Sequence, residues 1–95
     1  MPGARAVRVE RVQTGVRIEK RLLKVLKALA EYLDMSLGDV LEGIVLHSFE
    51  GKAHFSEGTL QKIQQLKAVY GMDYGAEVAH KMIEGGDDAT GNPAH

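Results

Sequence analysis

Cysteine is absent from the 95 residues of this chain. Disulfide bonds, thiolate zinc sites and cysteine nucleophiles are therefore excluded, and the absence of disulfides suits the cytoplasm. No window approaches the roughly eighteen consecutive apolar residues that a membrane span requires. The first residues also lack the apolar core and small-residue cleavage site of a signal peptide. We therefore expect a cytoplasmic protein with no membrane partner.

Patterns that indicate catalysis or metal binding are missing as well. The serines have no evident base partner, and the glycines match neither phosphate-binding loop pattern. No two histidines share a helical face at short spacing, so we expect no metal, no cofactor and no enzymatic activity. The four histidines are His47, His54, His80 and His95.

The charge distribution is strongly asymmetric, although 44% hydrophobic and 26% charged residues are typical of one ordinary globular domain. The net charge of the whole chain is only -1. Residues 1–30 hold eight basic and two acidic residues, whereas residues 31–95 hold four basic and eleven acidic residues. This pattern indicates either a surface that binds a polyanion or a basic helix face that is merely solvated, and charge alone leaves both open.

A period-two pattern predicts one short β-strand after a flexible basic arm at residues 1–11. Branched residues alternate with small or polar ones from Val12 to Ile18. Val7 and Val9 fall on the opposite parity, so either the strand begins after them or a hairpin joins residues 7–12 with residues 16–18. We favour the single strand.

Periods of three and four residues predict helices in the rest of the chain. The first amphipathic helix ends near Asp34, and Ser36 is suited to cap the second, which stops near Gly51. Ser56 can cap a third helix and Asp73 a fourth, and we expect these two to form a C-terminal helical hairpin at residues 52–84. Residues 85–95 have too little apolar content to order and are expected to form a disordered tail.

The strand requires a second copy of the chain, because a single strand leaves its hydrogen-bonding edges open and its apolar face half covered. Antiparallel pairing of two strands would form a ribbon that fits the major groove of DNA, above a shared helical core. The residues expected to read bases are Gln13, Gly15 and Arg17. The residues expected in the dimer core are Val12, Val16, Ile18, Leu22, Leu26, Leu41, Ile44 and Val45.

Residues 13–49 resemble the ribbon-helix-helix repressors of the Arc, MetJ and CopG class. The resemblance includes the apolar-Arg-apolar strand end Val16-Arg17-Ile18, the helix spacing, the Ser-apolar turn after the first helix and the closing Ser48-Phe49. It implies a mostly α fold in which one short strand pairs across a homodimer and two helices follow, spanning residues 12–51 here. It also implies base reading by alternate strand residues, of which the middle one, Gly15, has no side chain.

The resemblance further implies a phosphate contact at the start of the second helix, at Ser36, Leu37 and Gly38. Free amides and the positive dipole end of a helix N-terminus support this assignment, although simple capping by Ser36 needs no DNA. Lys20 and Arg21 are closest to the ribbon and are expected to contact phosphates as well.

These observations predict a homodimeric, sequence-specific transcriptional regulator that binds double-stranded DNA. Two alternatives stay open at this point. One is the antitoxin of a toxin-antitoxin pair, with the C-terminal helices binding a protein partner. The other is a dimeric interaction module that does not bind DNA. Further association of dimers through the C-terminal helices also stays open.

Overall fold

The computed structural model describes residues 6–85, in which three α-helices follow one another. They are α1 (Lys20–Leu33), α2 (Leu37–Phe49) and α3 (Glu57–Val69), followed by a single 3₁₀ turn at Ala76–Val78. Residues 1–5 of the predicted arm and residues 86–95 of the predicted tail lie outside the described residues. Residues 6–19 form neither helix nor strand.

Short polar side chains set the starts of the helices. The Ser36 hydroxyl accepts a hydrogen bond from the Asp39 amide at 3.1 Å, and the Ser56 hydroxyl accepts one from the Thr59 amide at 3.2 Å. Both caps satisfy an amide that has no partner within its helix, as the sequence predicts. The predicted end of the first helix is also confirmed, because Asp34 adopts the left-handed conformation with a φ of 61°.

The core is small and centres on α1, which packs against both α2 and α3. Leu29 and Ala30 of α1 bury their side chains against Val40 of α2, whose exposed fraction is 0%. Half-buried residues surround this contact: Leu26, Leu33, Ile44, Phe55, Ile63 and Leu66. One amphipathic helix therefore organises the packing of the other two.

The predicted ribbon-helix-helix fold is wrong. The structure contains no β-strand within residues 6–85, and the segment at residues 12–18 forms no regular structure, either as a single strand or as part of a hairpin. A strand is held by hydrogen bonds to a neighbouring strand. The described part of the chain contains no second strand, so the alternation of residue types alone does not produce one. The mostly α composition is the part of the prediction that is confirmed.

The second half of the predicted C-terminal helical hairpin is also wrong. Helix α3 forms, but the expected fourth helix is reduced to the 3₁₀ turn. The backbone leaves the helical region at Ala79, which has a ψ of 134°, and His80 has a positive φ of 66°. Contacts from Arg21 to Gly71 and from Glu19, just before α1, to Tyr74 fix the path of the chain before the turn. These tertiary contacts override a weak helical pattern.

Replacement of Leu29 by alanine should destabilise the protein by about 2 to 5 kcal/mol, because its side chain is only 2% exposed and the small core cannot refill the space. Urea denaturation followed by circular dichroism measures the free energy of unfolding. The control is Val69→Ala on α3, where the valine is 71% exposed and the change should stay within about 0.5 kcal/mol. Equal losses for the two variants would contradict the placement of the core.

Candidate nucleic-acid interface

Three lysines form a stripe along the solvent-exposed face of α1. Lys20, Lys24 and Lys27 are spaced by four and three residues, which places them on one side of the helix, and all three are exposed. Lys24 also lies 6.0 Å from the centre of the Tyr70 ring. None of the three forms an ion pair with a residue in the described range 6–85. We call these residues the lysine stripe.

The segment before α1 also carries exposed arginines. Arg8 is exposed, and Arg17 lies three residues before the first lysine of the stripe. Arg17 forms an ion pair with Glu84 at 3.0 Å, with 86% and 75% of the two side chains exposed. Arg11 makes two hydrogen bonds of 2.9 Å to Glu42 of α2, which fastens the segment to that helix.

The residues predicted to read bases lie together on this segment. Gln13, Gly15 and Arg17 are all exposed, but so are Val12 at 83% and Val16 at 73%. Exposure therefore does not separate a polar face from an apolar face here. A side chain at Gly15 would meet no atom within 4 Å, so packing within the chain does not explain the glycine.

A polar cluster joins the start of α1 to the chain that follows α3. Glu19 caps α1 by accepting from the Leu22 amide at 3.0 Å, and it also accepts the Tyr74 hydroxyl at 2.6 Å. Arg21, a predicted phosphate contact, donates to a Glu19 oxygen and to the Gly71 carbonyl, both at 3.0 Å. The Arg21 guanidinium is thus used in intramolecular hydrogen bonds, whereas the Lys20 ammonium group forms no ion pair in the described residues.

The charges of this cluster are coupled. The Tyr74 hydrogen bond, supplemented by donors from Leu22 and Arg21 and opposed by burial, lowers the pKa of Glu19 from 4.5 to about 2. Burial and the hydrogen bond to Glu19 raise the pKa of Tyr74 to about 12. Glu19 therefore stays a carboxylate and Tyr74 a neutral donor at neutral pH.

The predicted phosphate contact at the start of α2 involves Ser36, which also caps this helix. The Ser36 hydroxyl is used by the Asp39 amide, and the Asp39 carboxylate adds negative charge to the first turn. Leu37 is half-buried and Gly38 is exposed, with only the Ser36 hydroxyl 3.9 Å from where a side chain would begin. These three residues stay a prediction that no contact in the described residues tests.

The predicted dimer-core residues divide into two groups. Val12, Val16 and Val45 are exposed. The other five are half-buried, and two of them, Leu26 and Ile44, pack against the core of the same chain. The half-buried group consists of Ile18, Leu22, Leu26, Leu41 and Ile44.

An apolar face on α2 remains open to solvent. Val45 is 43% exposed, Leu46 62% and Phe49 80%. Their spacing places them beside one another near the end of the helix. We call these three residues the α2 apolar face. Contiguous exposed apolar surface of this kind is typical of a protein interaction site.

His47 of α2 and His54 of the connector that follows α2 lie against each other. The His47 and His54 ring centres are 4.3 Å apart, and the His47 Nδ1 atom is 2.8 Å from the Gly43 carbonyl. The His54 ring packs where a Gly43 side chain would stand, with an atom at 2.8 Å, and its Nδ1 atom is buried without a hydrogen-bond partner. The short connector between them is the one sequence signal for this pair. Within residues 6–85, no group of three or more potential ligands could hold a metal ion.

Comparisons of the chain with protein-family models, with curated proteins and with solved structures found no match. Within the described residues, no helix combines the length and the apolar character that crossing a membrane requires.

The Glu19 cluster makes the stability of the fold depend on pH in the acidic range. Because the folded-state pKa of Glu19 lies below its usual 4.5, its stabilising contribution is complete above about pH 5 and is lost as the pH falls towards about 2. In Glu19→Gln, the free energy of unfolding should therefore fall less between pH 5 and pH 2 than in the wild type. Urea titrations at a series of pH values measure this difference.

The matched control for this prediction is Glu31→Gln, which removes an exposed carboxylate from α1 outside the cluster. It should retain the acid dependence of the wild type. An unchanged acid dependence in Glu19→Gln would contradict the assigned role of the cluster.

Proposed function

We propose that the protein is a homodimeric, sequence-specific DNA-binding regulator of transcription that acts in the cytoplasm. The observation that carries the proposal is the lysine stripe of Lys20, Lys24 and Lys27, exposed and without ion pairs in the described part of the chain. Positive side chains aligned along one helix face match the regular negative charge of a phosphate backbone. Binding would release counterions and would weaken as the salt concentration rises.

The arginines before α1 extend this surface. The ion pair of Arg17 with Glu84 is highly exposed, and such surface pairs contribute only about 0 to 1 kcal/mol. A phosphate or a guanine edge can therefore replace Glu84 at little cost, and the planar guanidinium suits either acceptor. Exposed Gln13 offers the matching donor and acceptor for adenine. Base reading is assigned to these two side chains and phosphate contact to the stripe.

Dimerisation is assigned to the α2 apolar face. Phe49 and Leu46 are large side chains that lose no hydrogen bonds on burial, and covering them with a second copy would remove apolar area from water. The same helix contacts Arg11 through Glu42, so two copies joined at α2 bring two basic segments into one assembly. Doubling the number of basic residues strengthens binding to a duplex.

A second candidate function is a dimeric interaction module that does not bind DNA. The observation in its favour is that carboxylates already neutralise two of the arginines before α1, with Glu42 on Arg11 and Glu84 on Arg17. In this alternative the same dimer forms, but its acidic residues keep the arginines from polyanions. DNA binding at low salt distinguishes the two candidates.

The DNA-binding proposal predicts that wild-type protein selects sequences from a random duplex pool and binds them with a steep salt dependence. In a variant with Lys20, Lys24 and Lys27 all changed to Gln, each lost phosphate contact should reduce the slope of log affinity against log salt by about 1. Fluorescence anisotropy with a selected duplex measures the slope. Glutamine keeps a similar helix propensity, so α1 should remain folded.

The matched control for the stripe changes Lys52, Lys62 and Lys81 to Gln, which removes the same charge from other parts of the surface. Its salt slope should stay near that of the wild type. No binding of any duplex by wild-type protein at low salt would refute DNA binding and favour the interaction module. Equal losses in the two triple variants would refute the assignment to the lysine stripe.

The homodimer proposal predicts that Phe49→Asp is monomeric, because a carboxylate in the α2 apolar face cannot be buried without a partner. Sedimentation equilibrium measures the mass in solution, and circular dichroism checks that the helices persist. The control is Val69→Asp on α3, which also replaces an exposed apolar residue by a charge and should leave the dimer intact. A monomeric wild type would overturn the proposal.

A further inference from the structure

A cleft of about 350 Å³ lies between α1, α3 and the chain that follows α3. This volume is at the lower end of the range of about 300 to 1,000 Å³ that small-molecule sites occupy. Its walls are predominantly apolar and belong to separate elements, among them Leu22, Leu26, Phe55, Ile63, Met72 and Met82. The cleft lies on a different face of α1 from the lysine stripe, so it is not a site for DNA.

The wall formed by residues 71–79 is held in place by polar contacts, and beyond Tyr74 it carries small side chains. Arg21 fixes the Gly71 carbonyl at 3.0 Å, and Tyr74 is fixed to Glu19 at 2.6 Å. The residues that face the cleft beyond Tyr74 are Gly75, Ala76 and Ala79. A wall that is fixed from outside and small on its inner side leaves the space empty without allowing the chain to collapse into it.

The polar part of the lining is supplied by α3. Gln64 and Lys67 both line the cleft, and the Lys67 ammonium group lies 4.0 Å from the position of a Gly75 side chain. Lys67 forms no ion pair with any residue between 6 and 85. The Glu77 carboxylate accepts the Gly75 amide at 3.1 Å. Hydrogen bonds from the Glu77 and Gly75 amides lower the pKa of Glu77, and the charge of Lys67 contributes to this lowering without a direct ion pair. An apolar cleft with one cation and one amide at its edge matches an elongated apolar molecule that ends in an anion.

We propose that this cleft binds an aliphatic carboxylate of medium chain length, with its hydrocarbon chain among the leucine, isoleucine and methionine side chains and its carboxylate at Lys67 and Gln64. Binding of the hydrocarbon chain removes apolar surface of Leu22, Leu26 and Ile63 from water. The carboxylate gains charge-assisted hydrogen bonds from the Lys67 ammonium group. The proposal goes beyond DNA binding and does not depend on it.

Decanoate, used below the concentration at which it aggregates, is the probe, and decanol is the matched neutral compound. Isothermal titration calorimetry should detect saturable binding of decanoate to the full-length protein. Lys67→Met should weaken the affinity for decanoate by about tenfold, because one charge-assisted hydrogen bond is lost. It should leave the affinity for decanol unchanged. Ala79→Phe should abolish the binding of both compounds because it fills the cleft. Lys52→Met and Ala53→Phe, outside the lining, should bind as the wild type does.

The methionines provide a second readout that needs no variant. Met72 and Met82 line the cleft and Met35 does not, so their ¹³C-methyl signals should shift on titration with decanoate while that of Met35 stays in place. Absence of decanoate binding to wild-type protein, or shifts spread over all three methionines, would overturn the proposal. If Lys67→Met weakened the affinity for decanol as much as that for decanoate, the assignment of the carboxylate to Lys67 would be refuted. A changed sedimentation mass in Ala79→Phe would identify a second copy as the occupant of the cleft.

Discussion

The contact of Leu29 and Ala30 with Val40 determines the positions of the other elements, because it fixes α1 against α2 at the most deeply buried point of the chain. Helix α3 also packs against α1, and its Ile63 and Leu66 contact the same cluster. With its apolar residues turned to both neighbours, α1 directs Lys20, Lys24 and Lys27 to solvent. The basic surface is thus a direct consequence of how the core forms.

The core is small for the apolar content of the chain, and two regions of the remaining apolar surface carry our proposals. One such region is the α2 apolar face, which we assign to a second copy of the chain. The other is the cleft beside α1, which we assign to an aliphatic carboxylate. The cluster of Glu19, Arg21 and Tyr74 joins the start of α1 to the chain that follows α3 and holds the wall of the cleft. In this small protein, the hydrogen bonds of the cluster provide stabilisation that additional apolar packing provides in a larger protein.

The helices were predictable from the sequence because their signals are local. The hydroxyls of Ser36 and Ser56 cap nearby amides, and the period of the apolar residues in α1 is independent of distant contacts. The strand predicted at residues 12–18 does not form, because a strand depends on a partner that the pattern itself does not contain. The prediction of a fourth helix was wrong because distant contacts set the conformation there. The path of the chain near Tyr74 depends on Glu19, which is 55 residues away in sequence.

The candidate site was predictable in part. The charge asymmetry identified the basic region, and the sequence singled out Lys20 and Arg21 within it. The exposed stripe that also includes Lys24 and Lys27 is a feature of the structure. Sequence could not show that Arg21 is engaged by Glu19 and Gly71, or that His54 packs on Gly43, since both contacts arise from tertiary structure. The cleft gave no sequence signal, because its walls come from separate elements and its size depends on the absence of bulk at Ala76 and Ala79.

The central claim is that the lysine stripe of α1 contacts DNA, and titration of a selected duplex into ¹⁵N-labelled protein at low salt tests it most directly. We predict that amide signals change along α1 at Lys20, Lys24 and Lys27 and in the segment around Arg17, and that raising the salt concentration reverses the changes. Signals that remain unchanged at low salt, or changes confined to α3, would contradict the claim.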